Sequence, residues 1–485
     1  MNKSPFLTLA ALSVVIMLAT GCSSEEQPKQ DIQATVDAAV TKAVEKLKTP
    51  TPETTTTGAP TAVKSEPSPN PISTSPRGIK SPTPTMNPAP KATPPPTSIS
   101  SVSEKTSNST SNKPVSKARD RMFINPEGKR GVFSCTEDNT RSFTSPIVDP
   151  DILTDIEPMG KMAGSHVTPT DHLYVHWSQP AAGVTEYVMA PADGHIVKIS
   201  RSSDRSPRFD PSITVPDYRI VIMHSCAFFT IFIHLGELAP EIIKQTGPIP
   251  VKSYWYTSDN DPIYVKAGDP LSKLNGKDGL DWSVHDADVL LTGFIEPDHY
   301  IGEPWKVHTV DPFQYYKEPL KSELLSPVVR KAEPRAGKID YDVEGTIAGN
   351  WFLDGTNDYN GNTNSSEYWE GHLTLAYGYI DPTQIRISLG FDSGIDDQQF
   401  CNVCFGAYGV RDNKPDPASI GPDEGLIKYE LMSRQGPSHE QVGDTSLGTF
   451  LVQHLGNRTL KVEFVLGKTP DQVAEFSADA KIYKR

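Results

Sequence analysis

Histidine is the side chain best suited to chemistry in this sequence, and it is unevenly placed. Nine of the 12 histidines fall between His166 and His308. Imidazole titrates near neutral pH and binds first-row metals through either ring nitrogen. His172 and His176 stand four apart in His172-Leu173-Tyr174-Val175-His176. Residues i and i+4 of a strand face the same side, so this spacing is expected to bring both rings to one site. His195, His224, His285, His299 and His308 are expected to be hydrogen-bonded structural or surface residues. The cysteines offer a second chemistry. Cys401 and Cys404 form a single CxxC, short of the four ligands of structural zinc, and read better as a local disulfide or two free thiols. Cys135 and Cys226 are far apart in sequence and could pair in an oxidising compartment.

Strands must position these residues. Tyr187 to Ile199 reads as strand, turn, strand, with the turn at Pro191-Ala192-Asp193-Gly194. Arg219–His224 and Phe228–Leu235 read as a hairpin, and Val265–Leu271 as a turn entering another strand. Tyr254, Trp255, Tyr256, Asp259 and Asp261 fall in an insertion. They would either stack on sugar or peptide from an exposed loop or form a satellite core beneath it.

Taken in order, "VMAPADGHIVKI", "IVIMHSCAFFTIFIHL", "VKAGDPLSKLNG", "LDWSVHD" and "HTVDPFQYY" resemble the lysostaphin/LytM-type zinc endopeptidases, which cut peptidoglycan cross-bridges and share a β-dominated fold. The resemblance covers about residues 165–316. Lipoyl and biotinyl carrier domains have a similar rhythm, but no modifiable lysine at a hairpin tip is evident.

The family binds zinc through an HxxxD motif and the second histidine of HxH. Here His172 matches the first ligand, and His176 stands where the aspartate belongs. Gly279-Leu280-Asp281 lies where HxH belongs, so Asp281 takes the third ligand position and glycine replaces the other histidine. The resemblance therefore implies a metal set of His172, His176 and Asp281, holding zinc or another divalent ion. His234, in Phe232-Ile233-His234-Leu235, matches the histidine that assists catalysis. His166, Asp171 and Asp278 lie close by. Because the catalytic motifs depart from the family, two functions follow as expectations. In one, the groove binds peptidoglycan or a partner hydrolase with weakened or lost chemistry. In the other, it is a metal-dependent endopeptidase.

The amino terminus reads as an address. Met1-Asn2-Lys3 and the apolar Phe6–Leu18 form the n- and h-regions of an export signal. Leu18-Ala19-Thr20-Gly21-Cys22 resembles a bacterial lipobox, so residues 1–22 are expected to be cleaved before a lipidated Cys22. Acyl chains there would hold the protein to the extracytoplasmic face of a bacterial membrane. In residues 23–118, Ile32, Val36, Val40, Val44 and Leu47 mark a short helix, either self-associating or membrane-lying, or simply part of a stalk. Fifteen prolines between Pro50 and Pro114, mixed with Ser and Thr, mark a disordered tether.

Composition agrees with this division. The chain has 485 residues, 22% charged, with a net charge of −14. The first 122 residues carry 14 Lys/Arg against 9 Asp/Glu, the rest 32 against 51. A basic tether thus precedes an acidic body, and such a body is no nucleic-acid binder. A mean hydropathy of −0.41 excludes a multi-span membrane protein. The expected fold is mainly β: a LytM-like antiparallel domain over 119–325, then a β-sandwich or barrel over 333–485. In the latter, Gly349-Asn350-Trp351 is similar to the GxW opening of lipocalin-like barrels, though a core tryptophan explains it equally. Its ligand is not legible.

Overall fold

The computed structural model describes residues 141–485 except 179–183, 207–211, 257–262, 275–278, 363–366, 392, 396–405 and 436–439. The export signal, Cys22, the stalk helix, the tether, Cys135, Cys401, Cys404, Asp259, Asp261 and Asp278 lie outside the described residues.

The first β piece is built from β1 (Leu153–Glu157), β2 (Leu173–Trp177), β3 (Tyr187–Met189), β4 (Gly194–Arg201), β5 (Tyr218–Met223) and β6 (Phe228–Leu235). After α1 (Pro240–Thr246) come β7 (Ser253–Tyr256), β8 (Ile263–Val265), β9 (Pro270–Lys273) and β10 (Leu280–Asp286). The main sheet runs β1-β2-β10-β6-β5-β4-β7, with β8 also on β4, while β3 and β9 pair separately. Its pairings are antiparallel. The expected β5–β6 hairpin is present.

Strand β10 shows how sequence alternation makes the site. All seven of its residues are buried. Leu280, Trp282 and Val284 join the hydrophobic core, so Asp281, Ser283 and His285 face the other way. β2 alternates in the same sense: Leu173, Val175 and Trp177 enter the core, and Tyr174 and His176 share the opposite face. In register, Asp281 sits between Tyr174 of β2 and Ile233 of β6. This polar face of the central strands carries Asp281 and adjoins the other candidate site residues.

The expected loop of aromatics is instead strand β7, paired with β4 at the sheet edge. Tyr254 is exposed, and Trp255 packs against the core. Strand pairing sends adjacent side chains to opposite faces, so neither a stacking loop nor a separate satellite core results.

The second β piece follows α2 (Leu320–Leu325). β11 (Gly349–Leu353), β12 (His372–Tyr377), β13 (Ile385–Leu389), β14 (Ala407–Val410), β15 (Ile427–Gln435), β16 (Gln441–His454), β17 (Thr459–Leu466) and β18 (Lys481–Lys484) close into an eight-stranded antiparallel barrel in sequential order. Of the two expected architectures, the barrel is the one formed. Trp351, Leu375, Ile387, Tyr429, Phe450 and Tyr483 fill its interior. Gly349 needs to be glycine: its φ is +112°, and a Cβ would lie 2.1 Å from Asp342 Oδ1. The Arg485 guanidinium lies 4.1 Å over the Trp351 ring.

The pieces are fused. Phe352 and Tyr359, from the barrel segment, belong to the same core cluster as Trp282 and Phe232 of the sheet. The charged stretch to Lys338 is anchored: Arg330 is buried and donates to the Tyr379 carbonyl at 2.7 Å. Its guanidinium satisfies barrel carbonyls that would otherwise be desolvated.

Candidate functional site

Two of the expected site residues, His172 and His234, approach a third, Asp281, on this polar face. Asp281 Oδ2 lies 3.5 Å from His172 Nε2 and 3.4 Å from His234 Nε2. Each imidazole is held from behind by a second carboxylate. His172 Nδ1 is 3.1 Å from Asp171 Oδ1, and His234 Nδ1 is 3.1 Å from both oxygens of Asp217. The Arg205 guanidinium contacts His234 Nδ1 as well and reaches Asp217 Oδ2 at 3.4 Å.

His234 reaches this face through a backbone irregularity. Phe228 and Phe232 point into the core, so strict alternation would send residue 234 there too. The β5–β6 register shifts between Tyr218/Ile220, with three residues of β6 spanning two of β5. His234 takes up the extra residue at φ +64°, and Leu235 returns to the core. A bulge of this kind re-aims one side chain and locally strains the strand.

Burial makes the site electrostatically sharp. His172 and Asp281 are 6% and 7% exposed, and Asp217 is 3% exposed. Burial pulls the His172 pKa down, but Asp281 and Asp171 outweigh it and the net shift is upward. Burial pushes Asp171 up, yet its bond to His172 and the charge of Lys306 hold it far below the ordinary carboxylate range. His166, whose ring lies 5.5 Å from that of His172, is pushed down to about 3 by burial and by His172. Lys306 is buried and donates to the Pro169 carbonyl at 2.6 Å. The buried carboxylates of Asp171, Asp217 and Asp281 thus face Lys306, the Arg205 guanidinium and the His172 imidazole with its raised pKa.

His176 does not join this group. Its Nδ1 lies 2.7 Å from Asp155 Oδ1 on the neighbouring β1, its directly paired residue. A strand rises about 3.3 Å per residue, so positions i and i+4 share a face while standing about 13 Å apart. The expected set of His172, His176 and Asp281 therefore falls in two places. Gly279 reinforces the separation: a Cβ there would come within 2.6 Å of His176 Cδ2 and 2.7 Å of the Val175 carbonyl. The side chain missing from HxH has no room.

Asp155, Glu157 and His176 form a second cluster, whose donor atoms all lie within 4.8 Å of one another and could hold a metal ion. It is half-exposed, and Lys161 already pairs with Glu157 at 2.7 Å.

No family model matches the chain, and no curated protein or solved structure matches it either. The likeness to LytM-type enzymes rests on the quoted residues alone.

Other expectations concern the remaining histidines and Cys226. His224 bonds the Asp193 carbonyl and Thr230 Oγ1, His285 the Trp305 carbonyl and Ser283 Oγ, and His308 the Val289 carbonyl. Cys226 is disulfide-bonded, and its partner lies outside the described residues. Asp217 and Arg205 carry no motif and were not legible as site residues. Asp171 had one signal, its adjacency to His172. Neither His172 nor His234 bonds a serine, threonine or cysteine side chain among the described residues.

Proposed function

We propose that this chain is a cell-envelope lipoprotein, held through Cys22 on the extracytoplasmic face of a bacterial membrane. Its LytM-like groove binds peptidoglycan or a partner hydrolase, and the family's peptidase chemistry is weakened or lost. The observation that carries this reading is the separation of the three family ligand positions: Asp155 holds His176 away from His172 and Asp281. The acidic, aromatic-rich body and the long Pro/Thr/Ser tether suit a module that reaches wall polymer from a membrane surface.

Two measurements test it. The full chain should sediment with purified sacculi without releasing soluble peptides, and failure to sediment would remove the wall-binding reading. In the bacterial host, Cys22→Ser should move the protein from the membrane to the soluble envelope fraction. Unchanged fractionation would remove the lipid anchor.

A second reading, an active metal-dependent endopeptidase, is favoured by the convergence of His172, His234 and Asp281. A bound divalent ion would supply Lewis acidity and an acidified water. Asp171 and Asp217 would orient the two rings, and the partly exposed His234 would border the solvent side. Release of peptides from sacculi, abolished by His172→Ala, would establish this reading over the first.

A further inference from the structure

We propose that one mouth of the eight-stranded barrel holds a sugar ring of a neutral glycan. Trp369 and Phe391 take the apolar face of the ring, and Glu370 and Lys481 take its hydroxyls. This is a second binding place, made by other residues than His172, His234 and Asp281. The choice of a wall glycan rests on the wall-binding reading above; the fit of the mouth to a sugar does not.

The first support is a cavity in the right place. A cavity of about 550 Å³ opens at the end of the barrel where β11 and β13 finish and β12, β14 and β18 begin. That is the size of a small-ligand pocket, and barrel mouths are a preferred position for one. The barrel interior itself is taken, because Trp351, Tyr429, Phe450 and Tyr483 fill it. Leu389 and Tyr408 belong to that core and line the cavity, closing it from within. A ligand is therefore held at the mouth and does not thread the barrel.

The second support is the mixture of groups. Trp369 and Phe391 are half-buried, and Glu370 and Lys481 are exposed; all four line the cavity. A sugar ring carries C–H bonds on its faces and hydroxyls around its edge. The C–H face sits on aromatic surface, while the hydroxyls donate to the carboxylate and accept from the ammonium group. Glu370 and Lys481 are the charged residues of the lining and balance each other, so it favours neither an anion nor a cation. A purely apolar ligand would desolvate both without replacing their hydrogen bonds to water.

The third support is that these groups are held in place by the fold. Trp369 lies in the 3-10 turn Tyr368–Gly371 that leads into β12, its ring edge-on to Tyr368 at 5.3 Å. Gly390 donates to the His372 carbonyl at 2.9 Å, and a Cβ on it would collide with the Trp369 carbonyl. Glycine there lets the turn seat on the end of β13. Lys481 Nζ lies 4.6 Å over the Phe391 ring, a cation–π contact that keeps ammonium and ring together. A lining ordered in advance loses little entropy on binding.

The test uses the full chain, titrated by calorimetry with chitotetraose, a neutral tetramer of N-acetylglucosamine. Saturable binding is expected, weakened by about 10-fold or more in Trp369→Ala, Glu370→Ala and Lys481→Ala. Should Trp369→Ala fail to fold, the two exposed positions carry the comparison, with melting curves as control. Absence of saturable binding to folded wild type would overturn the proposal. So would binding left unchanged by Glu370→Ala and Lys481→Ala, or uptake of a fluorescent fatty acid at the mouth in place of the tetramer. Sedimentation with sacculi is measured on the same protein. Sacculi bound without chitotetraose would remove the barrel site and leave the wall reading standing; chitotetraose bound without sacculi would support the site and remove the wall reading.

Discussion

At the scale of single residues, burial decides which histidines keep their protons. His285 and His372 are almost wholly buried, and burial pushes their pKa values down to about 4 and about 3. A folded pKa below the unfolded value of about 6.5 makes the neutral ring the native form. Their contribution is complete above pH 6.5 and is lost as pH falls toward the folded values. Each ring should cost about 2 kcal/mol of stability between pH 6.5 and 4.5. Denaturant unfolding at pH 7 and 4.5 should show that loss, with the difference reduced in His372→Gln. An unchanged difference in the variant would exclude His372 as a source. His172 follows the opposite logic, because two carboxylates flank it and its pKa rises. The neighbours of each ring produce this difference.

At the scale of elements, two strands set the site and one defect completes it. β10 carries its polar and apolar residues in strict alternation, and Asp281 was legible through the ligand position that the resemblance implies. The i, i+4 spacing of His172 and His176 was legible as well, but it describes a common face and not a common point. His234 depends on the β-bulge, where its φ is +64°. A β-branched residue tolerates that conformation poorly and glycine adopts it freely. His234→Val should therefore be less stable than His234→Gly by about 1–3 kcal/mol in thermal or denaturant unfolding. Equal stabilities would mean that the strand can pair there without the bulge. For residues 333–485 an all-β sandwich or barrel was readable. Closure was not, because sandwich and barrel strands share the same alternation.

At the scale of the whole molecule, the sheet and the barrel share a core. The Phe352 ring lies 5.7 Å from that of Tyr300 and 5.2 Å from His372, both edge-on, and Tyr359 OH donates to Glu303 at 2.6 Å. Phe352→Ala should cost about 3–5 kcal/mol and should weaken both pieces together. Hydrogen exchange followed by mass spectrometry checks this: peptides from β10 and from β16 should lose protection in parallel. Loss confined to the barrel would show that the pieces unfold independently. Lys306 of the first piece also lies 5.4 Å over the Tyr359 ring.

The sequence by itself determined what is local. Composition separates a basic, proline-rich amino-terminal stretch from an acidic, aromatic-rich body, and alternation assigns strands and their polar faces. These follow from short-range sterics and from burial at a period of two. Tertiary structure decided which polar groups meet. Pairing of β1 with β2 draws His176 to Asp155, and a bulge turns His234 toward Asp281. Packing of the loops brings Asp171 and Asp217 behind the two rings. Such meetings depend on register and on residues distant in the chain, and one-dimensional spacing does not encode them.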